Sequence, residues 1–226
     1  MKFFDSLILE TDKLISSFPK KILRNDSAWS DVGQNQVIMR RDTAFELEGV
    51  GFNLVTSQDV TDEIILIGDN LGDIKDNRNF ARISVIGIDD VDEEKAYNLI
   101  KKIDYVRYHT FPEGYMMRST SRSHKEAVRV SKTAINNGID FGKVGSLFIE
   151  KYKENPAVRG VKMIFITHSD ADYKETEKIA EKNYDITETL NHVMNSVNFD
   201  CETCNLKAIC DEVEGMKELH FGKSDM

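Results

Sequence analysis

The apolar positions change period several times along the chain. In residues 1–18, Phe3, Phe4, Leu7, Ile8, Leu14 and Ile15 are interrupted by Asp5, Glu10, Asp12 and Lys13, which predicts a short amphipathic helix ending near Phe18-Pro19. Residues 19–42 are polar and irregular and hold the one tryptophan, Trp29. From Ala44 the pattern shifts to short runs rich in β-branched residues: Phe45 with Leu47, Gly51 to Val55, Glu63 to Gly68, and Arg82 to Ile88. These predict strands, and the Asp/Asn/Gly-rich stretch Asp69 to Asn79 predicts a loop.

Helical spacing returns after Asp92, with Ala96, Leu99, Ile100 and Ile103 at i, i+3, i+4 and i+7. A break at Phe111 to Gly114 precedes the strand-like Tyr115-Met116-Met117. Ser123-His124-Lys125-Glu126 then has the form of a capping box, followed by an apolar stripe of Ala127, Val130 and Ala134 and a stop at Asn137-Gly138. A helix is expected there, with His124 exposed in its first turn. Phe141 to Tyr152 predicts another helix and Val161 to Thr167 a strand. Two more helices are expected, one marked by Tyr173, Thr176, Ile179 and Ala180, the other by Leu190, Val193, Met194 and Val197. Strands and helices mix without strict βαβ alternation, so the fold class expected is α+β, a mixed sheet with packed helices. The chain divides into a helical extension over 1–40, an α+β domain over 41–198, and a cysteine-bearing segment with a charged tail over 199–226.

Composition narrows the function classes. A 226-residue chain buries roughly 70% of its unfolded surface and needs no disulfides to fold. Its 30 basic and 39 acidic residues give a net charge of −9, against a nucleic-acid partner, which requires a basic face. Neither a secretory leader nor an apolar run of membrane-spanning length is visible, so a cytoplasmic, reducing compartment is expected, without a membrane partner. The glycine pairs Gly49-Val50-Gly51 and Gly68 to Gly72 lack the residues of a dinucleotide fingerprint or a P-loop. The five histidines show no metal-binding helical spacing.

The three cysteines lie within ten residues, as Cys201-x-x-Cys204-x5-Cys210. In a reducing compartment such clustering reads as metal ligation before disulfide formation. C-x-x-C places two thiolates on one side of a turn, and a third five residues on fills three corners of an iron–sulfur cubane. Zinc is the alternative, with His220 or Asp211 as fourth ligand, and reduced thiols holding nothing stay open as a third reading. Positive charge gathers at Arg107, Arg118, Arg122, Lys125, Arg129 and Lys132. On the expected helix, Arg122, Lys125, Arg129 and Lys132 fall near one face at its N-terminal end, where a phosphate-bearing small molecule would sit; the alternative is a solvated face paired with acids.

From Arg41 onward the chain resembles the middle region of the acetyl-CoA synthase subunit of the carbon monoxide dehydrogenase/acetyl-CoA synthase complex. The stretches that carry the resemblance are Phe45 to Gly49 with Gly51 to Val55, Asp62 to Gly68, Arg129 to Ala134 with Asn137-Gly138, Gly142 to Gly145, and Val161 to Thr167 with the charged helix after it. Their order and spacing match over roughly residues 41–210. The resemblance implies an α+β domain, an arginine-rich surface associated with coenzyme A (Arg118, Arg122, Lys125 and Arg129 here), and a corrinoid iron–sulfur protein or the dehydrogenase as partner. Cys201 and Cys204 match the first C-x-x-C of the nickel–iron–sulfur site, and Cys210 matches its third cysteine across a shorter spacer. A fourth cluster cysteine and the C-x-C pair that holds the outer nickel are absent from these residues, so complete acetyl-CoA synthesis is not expected of this chain alone. The expectation is a stand-alone metalloprotein with an electron-transfer or small-ligand role. A three-cysteine cluster leaves one iron open to an exogenous ligand or to a second copy of the chain, as in a homodimer. The alternative is a non-catalytic binding module for coenzyme A or a protein partner.

Overall fold

The computed structural model describes residues 2–26, 28–91, 93–120, 122–194, 206–213 and 216. In chain order these form α1 (Asp5–Ile15), β1 (Lys21–Leu23), β2 (Thr43–Thr56), β3 (Glu63–Ile67), β4 (Arg78–Ile88), α2 (Glu93–Tyr108), β5 (Tyr115–Ser119), β6 (Lys125–Ser131), α3 (Lys132–Asn136), α4 (Phe141–Lys153), β7 (Val158–Ile166), α5 (Tyr173–Met194) and α6 (Lys207–Glu212). The seven strands described make one sheet in the order β1-β3-β7-β4-β2-β6-β5. β2 with β4 and β3 with β7 are parallel; the other neighbours are antiparallel. With its six helices this is the expected α+β fold.

Central strand β4 is buried along almost its whole length, so both faces of the sheet are covered. Two hydrogen bonds assign the covers. Thr56 donates to Asp5 of α1 (2.8 Å), whereas Asn53, three positions earlier on β2, accepts from the hydroxyl of Tyr152 on α4 (2.7 Å). Side chains three apart on a strand point to opposite faces, so α1 and α4 lie on opposite sides. Phe80 of β4, Phe141 of α4 and Phe165 of β7 stack on the α4 side, with Phe141 and Phe165 at 4.5 Å between ring centroids. α4 starts where Asp140 accepts the amide proton of Lys143 (2.8 Å), a side-chain N-cap, and buries Val144, Leu147 and Phe148 as its spacing predicts.

Three expectations change. The helix expected from Ser123 is instead strand β6 followed by the five-residue α3. Within β6, Glu126, Val128 and Val130 are buried while Lys125 and Ala127 are exposed, a period of two. A glutamate in the inward phase breaks the hydrophobic reading of that period, and Ala127, Val130 and Ala134 then mimic a helical stripe. The two helices expected after Asp172 are one continuous α5 of 22 residues as far as Met194, while Val197 lies outside the described residues. The stretch 19–42 contributes β1, whose Lys21 to Leu23 pair with Leu66 to Ile64.

Candidate functional site

β5 and β6 form a hairpin at one side of the sheet, with Arg118 opposite Ala127 and Ser119 opposite Glu126. Residues directly opposite share a face, so Arg118, Lys125 and Arg129 lie on the outer face and Glu126 and Ser119 on the inner one. Arg129 is engaged: it sits opposite Glu46 of β2, donates Nε to its carboxylate (2.7 Å), and donates Nη1 to the Ile38 carbonyl (3.0 Å). Arg118, Lys125 and Arg122, the last in the hairpin turn, are exposed and make no ion pair among the described residues. The four basic residues expected to bind an anion are therefore gathered on a hairpin, and among the described residues no helix N-terminus lies beneath them to supply the expected helix dipole.

The inner face holds a charged core that the sequence pattern did not suggest. Glu126 receives two parallel hydrogen bonds from Arg82 of β4, Nε to Oε1 (2.9 Å) and Nη2 to Oε2 (2.6 Å), and neither side chain is exposed to solvent. Ser119 donates to Glu126 Oε2 (3.2 Å), and the Arg82 guanidinium lies over the Phe148 ring at 4.7 Å. The pair crosses β2 at Gly51, where a Cβ would stand 2.1 Å from Glu126 Oε2 and 2.9 Å from Arg82 Nη2. Only glycine lets the two charges meet there. Tyr115 is wholly buried beside them, and burial together with Glu126 pushes its phenol well above the usual range. Its hydroxyl makes no hydrogen bond among the described residues.

Beyond Val50, β2 loses β6 as a neighbour while β4 continues beside it to Thr56. One backbone carbonyl and two side chains replace the missing strand. The Gly51 N–H donates to the carbonyl of His124 (2.9 Å), the Gly51 carbonyl accepts from Arg107 Nη1, and the Asn53 carbonyl accepts from Asn183 Nδ2 (2.7 Å). Arg107 comes from α2 and Asn183 from α5, so two helices are tied to one strand edge through backbone groups that would otherwise be buried unpaired.

His124 stands at the centre of this edge. It has a φ of 48°, in the left-handed region that non-glycine residues seldom adopt, and it is buried rather than exposed as the capping-box pattern implied. Arg107 Nη1 lies 3.0 Å from its Nδ1. Because a guanidinium only donates, Nδ1 is the acceptor and Nε2 carries the proton. Burial, then the nearby Arg107 charge, holds the imidazole down to about 3, so it is neutral at physiological pH. It lines a cleft of about 120 Å³ with Asn53, Asp104, Asn183, Tyr184 and Glu188. Among the described residues, no nucleophile with a hydrogen-bonded base lines this cleft.

The thiol segment is described only in part. Cys210 lies on α6 half-buried, and with Ile209 and Val213 it packs on the main core, while α6 rests against α5. Cys201, Cys204 and His220 lie outside the described residues. Among the described residues no group of three His, Cys, Asp or Glu side chains is placed to hold a metal. The donor set itself, three thiols in ten residues, suits the soft ions of an iron–sulfur cluster or zinc.

No protein-family model matches the chain, and no curated protein matches it. Among the described residues no helix is long and apolar enough to cross a membrane.

Proposed function

We propose that the protein is an acetyl-CoA-synthase-like metalloprotein whose α+β body carries an iron–sulfur cluster on Cys201, Cys204 and Cys210. The observation that carries this is the placement of Cys210. The helix that bears it is docked on α5 and the core, so the Cys210 thiol belongs to the folded body. When bound, a three-thiolate cluster supplies one-electron transfer or an iron open to a small ligand. Around it the chain contributes packing: Ile209 and Val213 hold α6 on the core, which limits solvent at the Cys210 thiol. The test is iron and acid-labile sulfide analysis of anaerobically purified protein with its visible absorbance. Stoichiometric iron and sulfide that are lost in Cys204→Ser support the reading; protein free of both overturns it.

A second reading is favoured by the outer hairpin face. Arg118, Arg122 and Lys125 carry exposed charge with no ion-pair partner among the described residues in an otherwise acidic protein. They suit the phosphates of coenzyme A or an acidic patch on a corrinoid or dehydrogenase partner, with the cysteines holding zinc or nothing. Titration calorimetry with coenzyme A at two salt concentrations tests it. Binding that is weakened by Arg118→Gln with Arg122→Gln supports a binding module, and no heat of binding overturns its coenzyme A form.

A further inference from the structure

A second polar cleft lies at the other end of the sheet, at the carboxyl ends of the parallel pair β3 and β7. Their last residues, Ile67 and Ile166, are in register. The chain leaves β3 through Gly68, at φ 110°, where a Cβ would stand 2.5 Å from the amide nitrogen of His168. The two outgoing segments are therefore pressed together, and Thr167 locks them. Its Oγ1 accepts from the Asp69 amide and donates to the Asp69 carbonyl, both at 2.8 Å, while the amides of Thr167 and His168 both donate to the Ile67 carbonyl. On this fixed floor stands a cleft of about 580 Å³ lined by Arg78, Asn77 and Asn79 on one side and His168, Ser169 and Tyr173 on the other. Its volume is that of a small-molecule site, and crevices at the carboxyl ends of parallel strands are where open sheets bind ligands.

We infer that this cleft binds the oxyanion group, carboxylate or phosphate, of a small metabolite through Arg78 and His168. The donors there are fixed and incompletely used. Among the described residues Asp69 is the only partner of the Arg78 guanidinium, through Nη1 (2.8 Å), and Nε is buried without one. Nε and Nη2 form the side-on edge that takes an oxyanion in two parallel hydrogen bonds. His168 Nδ1 accepts the Asp170 amide proton (3.2 Å), so the neutral ring carries its proton on Nε2 and presents a donor. The ring is held edge-tilted against Phe18 at 5.0 Å, and the Tyr173 hydroxyl donates to the His168 carbonyl (2.9 Å). Of the nearby carboxylates, Asp69 pairs with Arg78, Asp170 accepts the Ser169 hydroxyl proton (3.1 Å), and Asp172 accepts the Glu175 amide proton at the start of α5. Helix α5 is thus already capped, and the anion site belongs to the side chains of the cleft.

The test is residue-resolved NMR of the full chain titrated with inorganic phosphate against sodium chloride at matched ionic strength. Expected is a saturable, millimolar-range shift of the Arg78 Nε–H signal and the amides of His168, Ser169 and Tyr173, weakened about tenfold or more in Arg78→Gln. His168→Gln, checked for folding by its thermal transition, carries the same expectation if Arg78→Gln does not fold. Shifts confined to residues 118–125, or shifts that chloride reproduces, overturn the inference. Succinate in place of phosphate separates the two sources, since a tighter response to one names the group the cleft prefers. The outcome is independent of the cysteines, so failure here leaves the metal proposal standing.

Discussion

Arg82 and Glu126 meet across β2 in a two-pronged ion pair, at 2.9 and 2.6 Å, with no exposure of either side chain, directly over Gly51. Two residues far apart in sequence thus fix one glycine between them. The pair holds the β5–β6 hairpin to the central strand β4, and so ties the outer basic face to the core of the sheet.

Gly51→Ala places a methyl group 2.1 Å from the Glu126 carboxylate. Forcing the ion pair apart inside the core costs about 3 kcal/mol or more. Gly72→Ala, which meets nothing within 4 Å, is expected to stay within about 0.5 kcal/mol of the parent. Urea denaturation midpoints of the two variants check the contrast, and equal loss in both would contradict it.

Glu126→Gln leaves Arg82 buried with an uncompensated charge, at an expected cost of about 3–5 kcal/mol. Replacing both residues with apolar ones, Arg82→Met with Glu126→Leu, removes the unpaired charge as well as the bond. The double variant is therefore expected to be more stable than either single one. A double-mutant cycle in urea measures this coupling, and simple additivity would argue against the pair as drawn.

The neutral state of His124 sets a pH dependence. Its folded value is held to about 3, against about 6.5 in an unfolded chain, so the unfolded state binds the extra proton. The contribution is fully present above about pH 6.5 and is lost as pH falls toward 3, at up to about 1.4 kcal/mol per pH unit. His124→Asn, which also suits the left-handed backbone at φ 48°, is expected to flatten that slope between pH 4 and 6.5. Unfolding free energies measured over that range test it, and an unchanged slope would place the titrating group elsewhere.

Asn183→Leu removes the donor that satisfies the Asn53 carbonyl on the unpaired edge of β2. A buried acceptor left alone costs about 1–3 kcal/mol. Amide hydrogen exchange is expected to quicken in β2 from Gly51 to Thr56 and not in β3. Uniform change across the sheet would mean that α5 is not what closes this edge.

The elements legible in the sequence were those whose burial is mainly apolar. Val161 to Thr167 and Arg82 to Ile88 read as strands because β7 and β4 are nearly all buried, and α4 read as a helix because Val144, Leu147 and Phe148 share one face. Misreading fell where polar groups are inside. Glu126 occupies an inward position of β6, so a capping-box pattern displaced the strand. His124 and Arg107 stood out only as part of a capping box and a basic cluster, and Asn183 not at all, because their work is to replace a missing strand at one edge, and that edge exists only in three dimensions. Gly51 was legible as a strand glycine, while the reason for it, an ion pair drawn from β4 and β6, was not.

The central proposal, a cluster on Cys201, Cys204 and Cys210, is met most directly by native mass spectrometry of the chain purified and sprayed without oxygen. The proposal expects a species heavier than the bare polypeptide by the iron and sulfide of one cluster per chain, and its loss in Cys210→Ser. A spectrum holding only the bare chain, or the chain with a single zinc ion, would contradict it.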